Sequence, residues 1–288
     1  FARRVHRIRR QMPDAAEIAD AAMLLRAAQR PVIVAGGGVQ YSGAVAELTA
    51  FAERHGFPVV ETIAGRANLL ADHPLNIGPI GVTGSDSANA ITRAADVVLA
   101  VGTRLQDFTT GSWTVFAPEA RLIGLNAGRH DASKHQSLAM VGDAKLGLLG
   151  LDAALQGHRA SEAWISEAQG ERKVWDAYVA GNVAHGNRPN SYAQAIGVVN
   201  ALCHPRDRIV TAAGGLPAEV TANWRTLGVG TVDVEFGFSC MGYEIAGGWG
   251  ARIAQSEVEP DRDTIVLVGD GSYLLMNSDI YSSVLTGR

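Results

Sequence analysis

The sequence predicts an α/β protein, in which a Rossmann-like parallel-sheet domain is followed by a second, incomplete α/β domain with few strands. Three observations carry this. Short apolar runs rich in Val and Ile alternate with stretches of helical periodicity, which implies parallel strands covered by helices on both faces. The 33 glycines in 288 residues cluster after those runs instead of recurring at a fixed period, as strand-to-helix turns require. A polar stretch over residues 161–183, ending at Gly186-Asn187-Arg188-Pro189, separates one such alternation from the next.

In chain order, residues 1–12 begin with the basic run Arg4-Val5-His6-Arg7-Ile8-Arg9-Arg10, lack a leading Met and give way to Pro13; they read as a linker out of a preceding domain. Ala15, Ile18, Ala19, Ala22 and Leu25 have helical spacing and lead into the apolar run 31–35 and the turn Gly36-Gly37-Gly38. The unit recurs: a helix over 44–55 before a strand over 57–60, a helix over 86–94 before a strand over 96–101, then a strand over 120–125 and a closing helix over 146–155. Residues 13–157 form the first domain and 158–190 a linker helix region, where Trp164 and Trp175 dock the helix on a domain surface. Residues 191–288 carry a helix over 192–202, strands over 208–211, 231–235 and 264–268, and a final helix from Tyr273 through Ile280 and Val284. The second sheet is short of strands, and a chain ending just after Gly287 reads as truncated.

Composition narrows the function. A net charge of −4 offers no field for nucleic acid or an anionic membrane, and no apolar run approaches the roughly 20 residues that span a bilayer. Cys203 and Cys240 lack metal-type spacing; two cysteines in this length fit a reducing, cytoplasmic setting, with both thiols in the core or packed near a site.

Ligands of open parallel sheets sit outside the carboxyl ends of the strands, so the glycine turns are the candidates. Gly36-Gly37-Gly38 does not match G-x-G-x-x-G, because the third glycine would fall at Tyr41; with Glu61 where a ribose ligand is expected, it is a weak nucleotide signal against a plain tight turn. Gly269-Asp270-Gly271-Ser272 is more specific. It follows a strand and opens an apolar helix: two glycines admit phosphate oxygens to backbone N–H groups, and the carboxylate between them suits a Mg²⁺ that bridges those oxygens. The bland alternative is a β-turn with a helix cap at Ser272. Two further loops, 212–217 and 236–244, face the same crevice; Met241 could pack there against a ring, and Glu219, Glu235 and Glu244 are acid/base candidates that spacing alone leaves unassigned.

Gly269-Asp270-Gly271-Ser272-Tyr273-Leu274-Leu275-Met276-Asn277 after its strand, with 237–246 upstream, resembles the pyrophosphate-binding domain of thiamin diphosphate enzymes related to acetohydroxyacid synthase. The resemblance covers nearly the whole chain. Residues 13–157 look like that family's central domain, and the runs 81–85, 103–113 and 212–217 are similar to one branch, the hydrolases of myo-inositol breakdown. It implies hydrolytic opening of a trihydroxylated cyclohexane-1,2-dione to 5-deoxy-glucuronic acid, with a thiazolium carbanion attacking a carbonyl. Carried over by position, Asp270 would bind Mg²⁺, Gly269, Gly271 and Ser272 would hold the diphosphate with Gly214 and Gly215 beside it, the Ser239 backbone would lie near the aminopyrimidine, and Met241 would support the bent cofactor. The family's activating glutamate belongs to an N-terminal domain contributed across a subunit interface, which implies at least a homodimer and leaves no catalytic residue to assign here. Its second metal side chain, an asparagine, lies farther beyond the helix than Asn277. By this resemblance the 288 residues alone are inactive. An acidic residue commonly follows the strand that matches 122–125 in relatives binding FAD or ADP; here Asn126 does. The alternatives are an acetohydroxyacid synthase-like carboligase or decarboxylase on the same scaffold, and a nucleotide-binding regulatory module.

Overall fold

A computed structural model of the chain describes residues 9–184, 186, 188 and 191–287. Most of the basic run, and Asn187 and Pro189 of the expected linker, lie outside the described residues. Six strands make the first sheet: β1 (Pro31–Ala35), β2 (Val59–Glu61), β3 (Asn76–Pro79), β4 (Val97–Val101), β5 (Arg121–Asn126) and β6 (Leu138–Val141). They are parallel and ordered β3-β2-β1-β4-β5-β6, the doubly wound arrangement whose crevice opens where the order reverses, between β1 and β4. All five residues of β1 and of β4 are buried, as strands covered on both faces must be.

Helix starts follow from side-chain caps. Asp14 and Glu17 form a capping box at the head of Ala15–Ala27, Ser85 caps Asp86–Ala94, and Asp143 caps Ala144–Ala154. Strands β3 and β6 are absent from the sequence expectation. Both are four-residue edge strands, and the Asn76, Gly78 and Pro79 of β3 run against strand propensity; Pro79 is tolerated because an edge strand need not donate on its outer side.

The helix Glu162–Val183 starts from the Ser161 cap and lies on the first domain. Trp164 anchors it, 2% exposed and donating its indole N–H to the Pro31 carbonyl at 2.8 Å. Trp175 is only half-buried and stacks on Tyr178, so the docking expected of both tryptophans falls mainly to the first. Trp164→Ala is expected to lower the unfolding free energy by about 3–5 kcal/mol, read by chemical denaturation; a loss under about 1 kcal/mol would show that the helix is held elsewhere.

The second sheet holds β7 (Arg208–Thr211), β8 (Val232–Val234) and β9 (Thr264–Val266), parallel and ordered β8-β7-β9. The final helix is not continuous as expected: Asp270–Met276 and Ser278–Thr286 meet at Asn277. The domains join along a seam between 61–71 and 224–230. Ala71 N–H donates to Thr226 O and Gly230 N–H to Ala67 O, both at 2.9 Å, and Ala67 packs into the second core against Ile196, Ile209 and Trp224.

At that seam lies a buried ion pair. Arg66 donates to the Glu61 carboxylate and, at 2.8 Å, to the Trp224 carbonyl, while the other Glu61 oxygen accepts the Leu69 N–H. Glu61 is 0% exposed and fully committed, so it is not the ribose ligand its position in the sequence suggested.

Candidate functional site

The carboxyl edge of the first sheet encloses a cavity of about 410 Å³ lined by Gly37, Gly38, Thr62, Gly102, Thr103 and Asn126. Its glycines are explained by the chain itself. A Cβ on Gly36 would sit 2.3 Å from the Gly102 carbonyl oxygen, one on Gly37 2.8 Å from the Ala64 oxygen, and one on Gly38 2.7 Å from the Gly102 Cα. Gly36 to Gly38 therefore form a close turn after β1, packed against the turn that follows β4. Asn126 is likewise tied down, donating to Thr103 O and accepting from Gly128 N–H, each at 2.9 Å.

The second sheet presents a different edge. Because β7, β8 and β9 run parallel, the loops that follow them emerge on one side: 212–215, 235–242 and 267–270. Gly214 (φ +83°) requires a glycine backbone, whereas Gly215 and Gly269 lie outside the left-handed region; at all three a Cβ would meet nothing within 4 Å. These glycines leave open space where those of the first domain meet their own chain.

The motif itself opens the helix Asp270–Met276. Gly269 is its N-cap residue and makes no side-chain cap; Ser272 lies in the first turn, buried, and is not the cap that the bland alternative required. Asp270 is exposed, with Oδ1 accepting the Gly271 N–H at 2.9 Å. Met241 is 52% exposed and its Cε lies 3.1 Å from where a Gly271 Cβ would stand, while a Cβ on Gly242 would strike Met276 Cγ at 2.3 Å. Met241 of the 236–242 loop and Gly271 of the motif thus lie side by side. Open glycines and a free carboxylate fit a diphosphate with its metal, although among the described residues no group of three His, Cys, Asp or Glu gathers that could hold a metal unaided.

Each candidate acid has a structural task. Glu219 accepts from the Asn223 amide at 2.9 Å. Glu235 takes the Phe238 N–H at 3.0 Å and the Cys240 N–H at 2.9 Å, which holds the loop in a tight curl with Ser239 left-handed (φ +53°). Burial alone would raise its carboxyl; the N–H groups of Cys240 and Phe238 outweigh that and hold it below the ordinary carboxylate range. Glu244, 0% exposed, accepts from Ala213 N–H and Gly242 N–H. Beside it, burial and then Asp233 push the Tyr243 hydroxyl up to about 12.

Of the cysteines, Cys203 is half-buried, its thiol pushed up to about 11 by burial and then Asp207, but Cys240 is exposed in the loop, contrary to the expectation of packing. Sequence reasoning missed the first domain's share in this edge. Phe108 meets Phe236 edge-on with centroids 4.8 Å apart, and Arg104 Nη2 lies 3.2 Å from the position of a Gly237 Cβ. Nothing in local periodicity marks either residue; the contact exists only once both sheets are assembled.

Comparison with known proteins agrees with this division. The family model described as thiamine pyrophosphate enzyme, central domain, matches residues 18–151, and that described as thiamine pyrophosphate enzyme, C-terminal TPP binding domain, matches residues 213–285. A 3D-(3,5/4)-trihydroxycyclohexane-1,2-dione hydrolase of Geobacillus thermodenitrificans (strain NG80-2) is 38% identical, covering 100% of this chain and 48% of the relative. A protein of the same name from Bacillus anthracis (strain CDC 684 / NRRL 3495) is 36% identical, covering 99% of this chain and 48% of the relative. The chain spans about half the length of the curated relatives it matches. Among the described residues no helix is long and apolar enough to cross a membrane.

Proposed function

The chain belongs to the thiamin diphosphate enzyme family, and from that premise we propose that it supplies the cofactor-anchoring edge of a hydrolase that opens the ring of 3D-(3,5/4)-trihydroxycyclohexane-1,2-dione to 5-deoxy-glucuronic acid in inositol catabolism. The observation that most supports this reading is the open space at Gly214, Gly215 and Gly269, on loops that leave the same edge of the sheet, with Asp270 exposed beside the last of them. When bound, thiamin diphosphate supplies the carbanion chemistry, and the protein supplies orientation and electrostatics.

Asp270 would hold Mg²⁺ as a single carboxylate, which suits an ion that takes its remaining ligands from phosphate and water oxygens. Gly269, Gly271 and Ser272 would hold the diphosphate, with Gly214 and Gly215 on the neighbouring loop beside it. The Ser239 backbone, curled into place by Glu235, and the exposed Met241 would contact the organic part of the cofactor. The active protein is a cytoplasmic homo-oligomer, at least a dimer, whose activating glutamate and second metal ligand come from outside these residues; by themselves these residues do not turn over substrate. The domains comprise residues 13–157 and 191–288 around the helix region 158–190.

The whole protein is expected to open the cyclic dione only when both thiamin diphosphate and Mg²⁺ are present, followed by product formation. Turnover surviving removal of both would refute the assignment, and pyruvate consumed faster than the dione would move it to a carboligase or decarboxylase on this scaffold.

A further inference from the structure

Glu244 is completely buried, and it accepts two backbone N–H groups belonging to different loops. Oε1 takes the Ala213 N–H at 3.1 Å, just past the end of β7; Oε2 takes the Gly242 N–H at 3.0 Å, at the head of the helix Tyr243–Val258. Burying a carboxylate costs more than an apolar side chain would at the same place, so stability alone is a poor reason for it. Position gives a better one. Ala213 immediately precedes Gly214 and Gly215, and Gly242 immediately follows Met241, which touches Gly271.

We propose that Glu244 is a positioning residue that ties the 212–215 loop to the 239–242 loop and so sets the width of the cofactor crevice before any ligand arrives. This rests on the cofactor reading given above. Only a carboxylate does the work at this spot, because it offers acceptors to both N–H groups, whereas a glutamine turns an NH₂ toward one of them. A crevice fixed in advance spares the ligand the cost of ordering two loops.

The test measures thiamin diphosphate affinity by calorimetry at saturating Mg²⁺, and amide hydrogen exchange without cofactor, on the whole protein and its Glu244→Gln variant. Glu244→Gln is expected to weaken binding on the order of 10- to 100-fold, the worth of a charged hydrogen bond. Exchange in 212–216 and 238–243 should quicken while β1 to β6 stay protected, which a general loss of stability would not do. Glu244→Asp, which keeps both acceptors on a shorter arm, should recover part of the affinity. If wild type binds and Glu244→Gln binds within about twofold of it, the brace is wrong and the cofactor reading stands. If wild type itself fails to bind, the cofactor reading falls, and the brace with it. Should the variant not fold, wild-type exchange decides: Ala213 and Gly242 amides must exchange more slowly than those of Gly214 and Gly215, and equal rates overturn the proposal.

Discussion

Asp270→Ala is expected to weaken Mg²⁺-dependent thiamin diphosphate binding by at least about 100-fold, the upper end of what even supporting residues around a metal cost. The exposed carboxylate stands between two glycines at the start of a helix, and the interaction seen for it is acceptance of the next residue's N–H. Its loss should therefore leave the fold nearly intact, within the roughly 0.5 kcal/mol usual for surface changes, so that affinity and stability separate cleanly. Asp270→Asn keeps an acceptor for Gly271 but removes the charge, and should lose almost as much affinity as alanine. Titrating cofactor at several Mg²⁺ concentrations, with thermal melts in parallel, reads both quantities. Unchanged affinity in either variant would show that the metal is held elsewhere.

The second large effect lies at the seam between the domains. Arg66→Ala strips the partner from a carboxylate with no exposure to water, and breaking one side of a buried pair typically costs about 3–5 kcal/mol. The Trp224 carbonyl loses its donor in the same step, so the seam between the domains is weakened as well. Combining Arg66→Met with Glu61→Gln removes the stranded charge while leaving an acceptor for Leu69, and should recover much of the loss. Urea unfolding of the two variants measures the difference. A single variant within about 1 kcal/mol of wild type would mean that water or a rearranged side chain reaches Glu61.

What could be read in advance was whatever the physics writes locally. Val and Ile runs bounded by glycine turns announced β1 and β4, because a strand covered on both faces has no polar alternation to confuse it. Strand β3 stayed hidden because Asn76, Gly78 and Pro79 join a sheet edge through tertiary position alone. Glycines made the same distinction at the site. The sequence marks Gly269 to Gly271 as the more specific motif, and the space around the glycines adds that the turn at Gly36 to Gly38 is crowded by Gly102 while Gly214, Gly215 and Gly269 are left open. The roles of Glu244 and Phe108 were illegible for a further reason: Glu244 reaches Ala213 on another loop and Phe108 meets Phe236 in the other domain, and no spacing along the chain encodes that meeting.

At the seam between the domains the acceptors are main-chain carbonyls: Ala71 N–H donates to Thr226 O, Gly230 N–H to Ala67 O, the Thr226 hydroxyl to Leu69 O and Arg66 to Trp224 O. Every residue carries the same carbonyl, so, while Arg66 and Thr226 must stay, the accepting half of such a joint is indifferent to the side chains that bear it. Relatives can drift at those positions while the angle between the two halves stays put. Evolution is then free to rebuild the crevice wall by wall, changing what the enzyme accepts without reopening the question of how its parts fit together.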